Sequence, residues 1–178
     1  MALFSTTATK VNDRKCFPEI ASLVGKLIIF DLGYWGYGLL MAIDTVNGFF
    51  LSRVKTNAAF IIKKVNKGMS PRYVGKKFSS LKFNRKRGKI IEFVGEVTHK
   101  GESAMFRVIG CWNPSEKHFH WYITNLTVSA TIIYSLYRIR WQIELIFKSC
   151  KQSFNLDQKL ASNNDNIIES LVICSIIA

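Results

Sequence analysis

One change of period constrains this chain more than any other feature. From residue 56 to 126, alternation and β-branched or aromatic residues dominate, and candidate strands fall at 59–64, 89–99, 104–112 and 118–123. The segment K-G-E-S at 100–103 suits a hairpin turn between two of them. After N-L-T at 125–127 the pattern turns helical. Apolar residues then recur at helical spacing from about 130 to 153, with Thr127 or Ser129 as the cap. Period two needs a sheet and period 3.6 needs a packed helical face, so the chain must combine both, in one domain or in one domain plus an insertion.

The residues before this region add a second pattern. L-I-I-F at 27–30 is a compact apolar run followed by Asp31 and Gly33, as in a buried strand ending in a carboxylate. Residues 36–46 suit a helix, and G-F-F-L-S-R-V-K at 48–55 suits another strand, so 27–55 reads as a β-α-β unit. Residues 1–15 are polar and irregular, and a short helix is expected from Pro18 to Val24. A further helix is expected to start near Asn164–Asp165. The apolar tail I-I-E-S-L-V-I-C-S-I-I-A contains Glu169 and falls short of the roughly 20 residues that cross a bilayer. It reads as a helix interrupted in mid-pattern, so the chain is expected to be part of a longer protein. The first ten residues do not have the layout of a signal peptide.

Hydrophobic residues make up 48% of the 178, enough for a core. Lys plus Arg number 25 and Asp plus Glu 12, a net charge of +13. That charge predicts a polyanionic partner, with nucleic acid as the default and a basic structural protein of ribosomal kind as the alternative. The basic stretch at 76–89, with Phe78 and Phe83 interleaved, suits a nucleic-acid surface or a solvated loop. Cys16, Cys111, Cys150 and Cys174 lie far apart with no C-x-x-C and read as reduced, mostly buried thiols. His118-Phe-His120 is either a metal pair or a solvated strand face.

On the helix at 130–153, Leu136, Ile139, Ile143, Ile146, Phe147 and Cys150 share one arc. Tyr137, Arg140, Glu144 and Lys151 fall within about 60° of each other on the next, with Lys148 close by. Glu144 with Arg140 at i−4 and Lys148 at i+4 is ordinary helix-surface pairing on one reading. On the other, Glu144 is a metal ligand and the cations hold phosphates. That chemistry needs a partner carboxylate, and Asp31 stands where one would be expected, though an Asp after a strand also caps turns.

Tyr137-x-x-Arg140-x-x-x-Glu144-x-x-x-x-x-x-Lys151 resembles the Y-R-E-K signature of the bacterial DDE transposases of the insertion sequence 4 family. F-D-L-G-Y at 30–34 resembles that family's second catalytic region, F-F-L-S-R-V-K at 49–55 the strand after it, and Y-I-T-N-L at 122–126 the lead-in to the signature helix. The resemblance covers roughly residues 10–178. It implies a ribonuclease-H-like α/β catalytic core with a mainly β insertion between the second Asp and the Glu. On that plan residues 1–55 are a partial core, 56–126 the insertion and 127–178 the C-terminal helices of the core. It also implies a bacterial cytoplasmic, nucleoid-associated enzyme without a membrane partner. Such an enzyme cuts and joins double-stranded DNA at element ends and target, working as a homodimer on the DNA. Mg²⁺ or Mn²⁺ in a two-metal site is the implied cofactor. Asp31 and Glu144 map to catalytic and metal-binding positions, and Tyr137, Arg140 and Lys151 to contacts with DNA ends. Lys148 is implied beside them, and Trp141 either stacks on a flipped base or packs against the insertion.

The pattern departs in three ways: the family's N-terminal DNA-end-binding region has no counterpart, the C-terminal helices read as cut short, and a carboxylate is missing. The first catalytic Asp has no counterpart, because the acids before Asp31 are Asp13 and Glu19, and Asp13 sits in a polar stretch without strand character. The expectation is therefore an incomplete metal site and a fragment that binds DNA without cutting it.

Overall fold

The computed structural model describes residues 17–55, 57–83 and 90–153. By internal contacts the chain divides into two units, residues 19–138 and residues 1–18 with 139–178. The first contains a six-stranded sheet, helix α1 (Tyr37–Thr45) and the start of helix α2 (Ala130–Ser153). Of the second, Phe17, Pro18 and the stretch of α2 from residue 139 to 153 are described. The helix expected near residue 164 and the polar segment 1–15 lie outside the described residues.

The strands are β1 (Leu27–Phe30), β2 (Phe49–Arg53), β3 (Ile61–Lys67), β4 (Ile90–His99), β5 (Glu102–Asn113) and β6 (His118–Thr124). Their spatial order is β1-β2-β6-β5-β4-β3. β1 and β2 are parallel and joined through α1, which realises the expected β-α-β unit; the other neighbours are antiparallel. β1 is an edge strand among the described residues, so Leu27 is 38% exposed and only Phe30 is fully sequestered. The expected buried strand is therefore half-covered at this edge. β4 and β5 turn at Lys100 and Gly101, whose φ values of 50° and 86° supply the two left-handed residues of a tight hairpin. β3 runs longer than its alternating stretch because two register shifts, at Ile62/Lys64 and Val65/Lys67, interrupt the alternation.

Side chains alternate across the sheet. On one side Phe60, Phe78, Phe93 and Trp121 pack together, with Phe78 stacked on Phe60 at 4.6 Å and set edge-on to Trp121 at 5.0 Å. Each such fully buried ring contributes about 2–3 kcal/mol. Phe78, read in the sequence as a candidate for a nucleic-acid surface, is 3% exposed, and Phe83 leans on Trp121 at 4.5 Å. Both aromatics serve the core, because the polar stretch that carries them folds back over the sheet through backbone bonds from Phe78 to Phe60 and from Ile62 to Lys76. On the other side Leu51, Ile109, Cys111 and Tyr122 pack with Ile133 and Tyr137 of α2. Cys111 is a free, buried thiol, as expected, and burial pushes its pKa up to about 11.

Candidate functional site

Asp31 follows the last residue of β1 and begins a single 3₁₀ turn over Leu32–Tyr34. Its Oδ1 accepts a hydrogen bond from the Gly33 backbone N–H at 2.8 Å. The side chain thus does cap a turn. Oδ2 has no hydrogen-bond partner among the described residues. Asp31 is partly exposed, as a metal ligand or substrate contact would need.

The other sequence-predicted positions lie on α2. Its first turn is capped by Ser129, whose Oγ accepts from Ile132 N–H at 3.4 Å. Tyr137 is buried, with its ring 5.1 Å from that of Tyr122. Arg140 is partly buried and Lys148 is exposed. Trp141, Glu144 and Lys151 take their places along the helix backbone; their side chains lie outside the described residues. Asp31 belongs to the 19–138 unit and Glu144 to the other.

The segment leading into α2 is held by side chains that a search for catalytic residues passes over. Thr124 Oγ donates to the Phe50 carbonyl at 2.6 Å and accepts from Leu126 N–H at 3.0 Å. Asn125 Oδ1 accepts from Phe50 N–H at 3.0 Å, while its Nδ2 donates to Asp44 Oδ1 and to the Gly48 carbonyl, each at 2.8 Å. The T-N pair of Y-I-T-N-L therefore ties the end of β6 to β2 and to the α1–β2 turn. Arg107 on β5 completes the clamp. Its Nε donates to Glu92 at 2.8 Å, and its Nη1 donates to the carbonyls of Leu126 and Val128. The Arg107 guanidinium holds the Glu92 carboxyl below its ordinary range.

A third polar group sits at the β5–β6 turn. Glu116 Oε2 lies 3.0 Å from His118 Nε2 and 2.8 Å from His120 Nε2. The three ligand-type atoms are all within 4.8 Å of one another. The Glu116 carboxyl is held low, first by its contact with His120. Glu116 is the member that the sequence reading missed. Its signal was the spacing E-x-H-x-H across a tight turn, which brings a loop carboxylate over two same-face strand residues.

Comparison with known proteins adds the family. A family model described as the transposase DDE domain matches residues 2–178. Among individual proteins, the chain is similar to y4zB of Sinorhizobium fredii (strain NBRC 101917 / NGR234), provisionally named a transposase, with 28% identity over 179 aligned residues. The alignment takes in 99% of this chain and 47% of that protein, so the chain spans about half the length of the relative it matches. No solved structure matches. The mixed α/β architecture with its six-stranded sheet is consistent with such a domain. No described helix is long and apolar enough to cross a membrane.

Proposed function

Since the chain belongs to the DDE transposase family, we propose that it is the part of an insertion-sequence transposase that carries the second Asp and the Glu of a DDE site, within the insertion sequence 4 group. The family match over residues 2–178 is the observation that carries this reading. The Y-R-E-K spacing at Tyr137, Arg140, Glu144 and Lys151 supports the subgroup. On this reading residues 1–55 and 127–178 belong to a ribonuclease-H-like core, and residues 56–126 are its β-rich insertion.

Asp31 and Glu144 are the catalytic carboxylates and the ligands for Mg²⁺ or Mn²⁺. The donor chemistry fits: Mg²⁺ takes hard oxygens, commonly one or two carboxylates completed by water and phosphate. Asp31 offers such an oxygen in Oδ2. When bound, the metal would activate the attacking oxygen and stabilise charge on the phosphodiester. Arg140, Lys148 and Lys151 hold the DNA backbone and Trp141 stacks on a displaced base. Tyr137 of the same helix, which the resemblance maps to the DNA ends, packs against Tyr122. The substrate is double-stranded DNA at element ends and target, met in the bacterial cytoplasm by a homodimer.

With two of three carboxylates, this chain alone binds DNA and does not cut it. Gel-shift and cleavage assays with the purified chain and Mg²⁺ test this. Binding without cleavage is expected, with nicking appearing when a segment supplying the first Asp is added. Mg²⁺-dependent cutting by the chain alone, abolished in Glu144→Ala, would overturn the inactive reading. A chain that binds no DNA would overturn the DNA-binding role proposed for this segment.

A further inference from the structure

We infer that Glu116, His118 and His120 form a binding site for a divalent transition cation of the zinc type, separate from the Mg²⁺ chemistry proposed above. The argument rests on hydrogen-bonding roles. His118 Nδ1 lies 3.1 Å from the Glu116 backbone carbonyl, which only accepts, so Nδ1 carries the ring proton and Nε2 of the neutral ring bears a lone pair. That lone pair faces Glu116 Oε2 at 3.0 Å, acceptor against acceptor.

His120 repeats the conflict. Asn113 Oδ1 accepts from the backbone N–H groups of Ser115 and Glu116 at 3.0 and 3.4 Å, which fixes the orientation of its amide. Asn113 therefore turns its NH₂ toward His120 Nε2, at 3.3 Å, and favours the neutral tautomer in which that nitrogen accepts. The same nitrogen faces Glu116 Oε2 at 2.8 Å. With both rings neutral, three acceptor atoms thus converge. A cation among them converts each repulsive contact into a ligand bond.

Two imidazole nitrogens and one carboxylate oxygen select zinc, cobalt or nickel over magnesium. The nitrogens come from one face of β6, and β6 is held in register with β5 by the Asn113–His118 and Cys111–His120 pairs. His120 is 15% exposed at its side chain and His118 53%, so the site is rooted in the sheet and open on its outer side. That suits three protein ligands with a further position for water. Bound there, the cation would pin the β5–β6 turn to the sheet.

The experiment uses the full chain without an affinity tag. Zn²⁺ titration by calorimetry is paired with the visible spectrum of the Co²⁺ form and with the change in Tm on adding Zn²⁺. One equivalent should bind and Tm should rise. Glu116→Gln and His118→Ala, both at exposed positions, should each weaken binding by about tenfold or more and remove the rise in Tm. Excess Mg²⁺ should not compete. Because Cys111 lies across the strand from His120, Cys111→Ser is the control, and it should leave binding intact. Zinc binding unchanged in the Glu116→Gln/His118→Ala double variant, or lost in Cys111→Ser, would overturn the site. So would an absence of binding; imidazolium signals for both histidines in NMR spectra would then show that protonation accounts for the contacts.

Discussion

At the scale of single residues, a few side chains bear unequal shares of the architecture. Asn125 uses both ends of its amide on three partners that lie 75 to 81 residues away in sequence. Asn125→Ala leaves the Phe50 N–H and the Gly48 carbonyl without these bonds, and the expected loss is about 2–3 kcal/mol in urea denaturation. Asn125→Asp keeps the bond from Phe50 N–H but sets a carboxylate oxygen against Asp44 and the Gly48 carbonyl, so at neutral pH it should cost at least as much as Asn125→Ala. Glu92 makes a pH-dependent prediction. Its folded-state pKa is depressed, so its contribution is fully present above the unfolded-state value and fades as pH falls through the folded one. Glu92→Gln should therefore cost about 1–3 kcal/mol at pH 7. The gap from the parent should close on acidification below about pH 4. A gap that stayed constant into strong acid would show that Arg107 does not hold this carboxyl as described.

At the scale of elements, the β5–β6 pair depends on a glycine. Gly110 lies opposite Trp121, and a methyl group at Gly110 would meet the indole ring at 2.5 Å. The indole covers the bare backbone, so Gly110→Ala must displace it from the aromatic cluster. The expected cost is about 1–3 kcal/mol, with a shift in tryptophan fluorescence as Trp121 moves. Elements with clean periodicity were legible in the sequence. The β4–β5 hairpin, β6 and the 130–153 helix all appear where alternation, turn chemistry and helical spacing put them. β3 was harder to delimit because its two register shifts break the alternation just where K-K-V-N-K turns polar. The role of Phe78 was misread for a related reason. Its neighbours are basic, and only the fold shows that its backbone bonds to Phe60 carry the ring inward. The place of Asp31 at a strand end was legible because an apolar run followed by Asp and Gly is a local pattern. Glu116 was not, because its meaning depends on a turn that brings it over two strand residues.

At the scale of the whole molecule, the charge of +13 predicts DNA affinity that falls steeply with salt. If about six phosphates are neutralised, log K against log salt should have a slope near −5. Fluorescence anisotropy over a salt series measures it, and a flat response would remove the electrostatic basis of the proposed function. The Thr124 and Asn125 bonds to the β2 region also say something about time. They join parts of the chain 74 to 81 residues apart, whereas β4, β5 and β6 are linked by short turns. Closing the longer span must wait for the intervening chain, and its loop entropy is recovered only when β6 is in place. During synthesis at about 5–20 residues per second, β2 would emerge roughly 4–15 seconds before the strand that covers it. In that interval its free edge and Phe50 are open to other chains. The yield of native protein should therefore depend on how soon the β4–β6 meander reaches β2, and not on the final stability of the sheet alone.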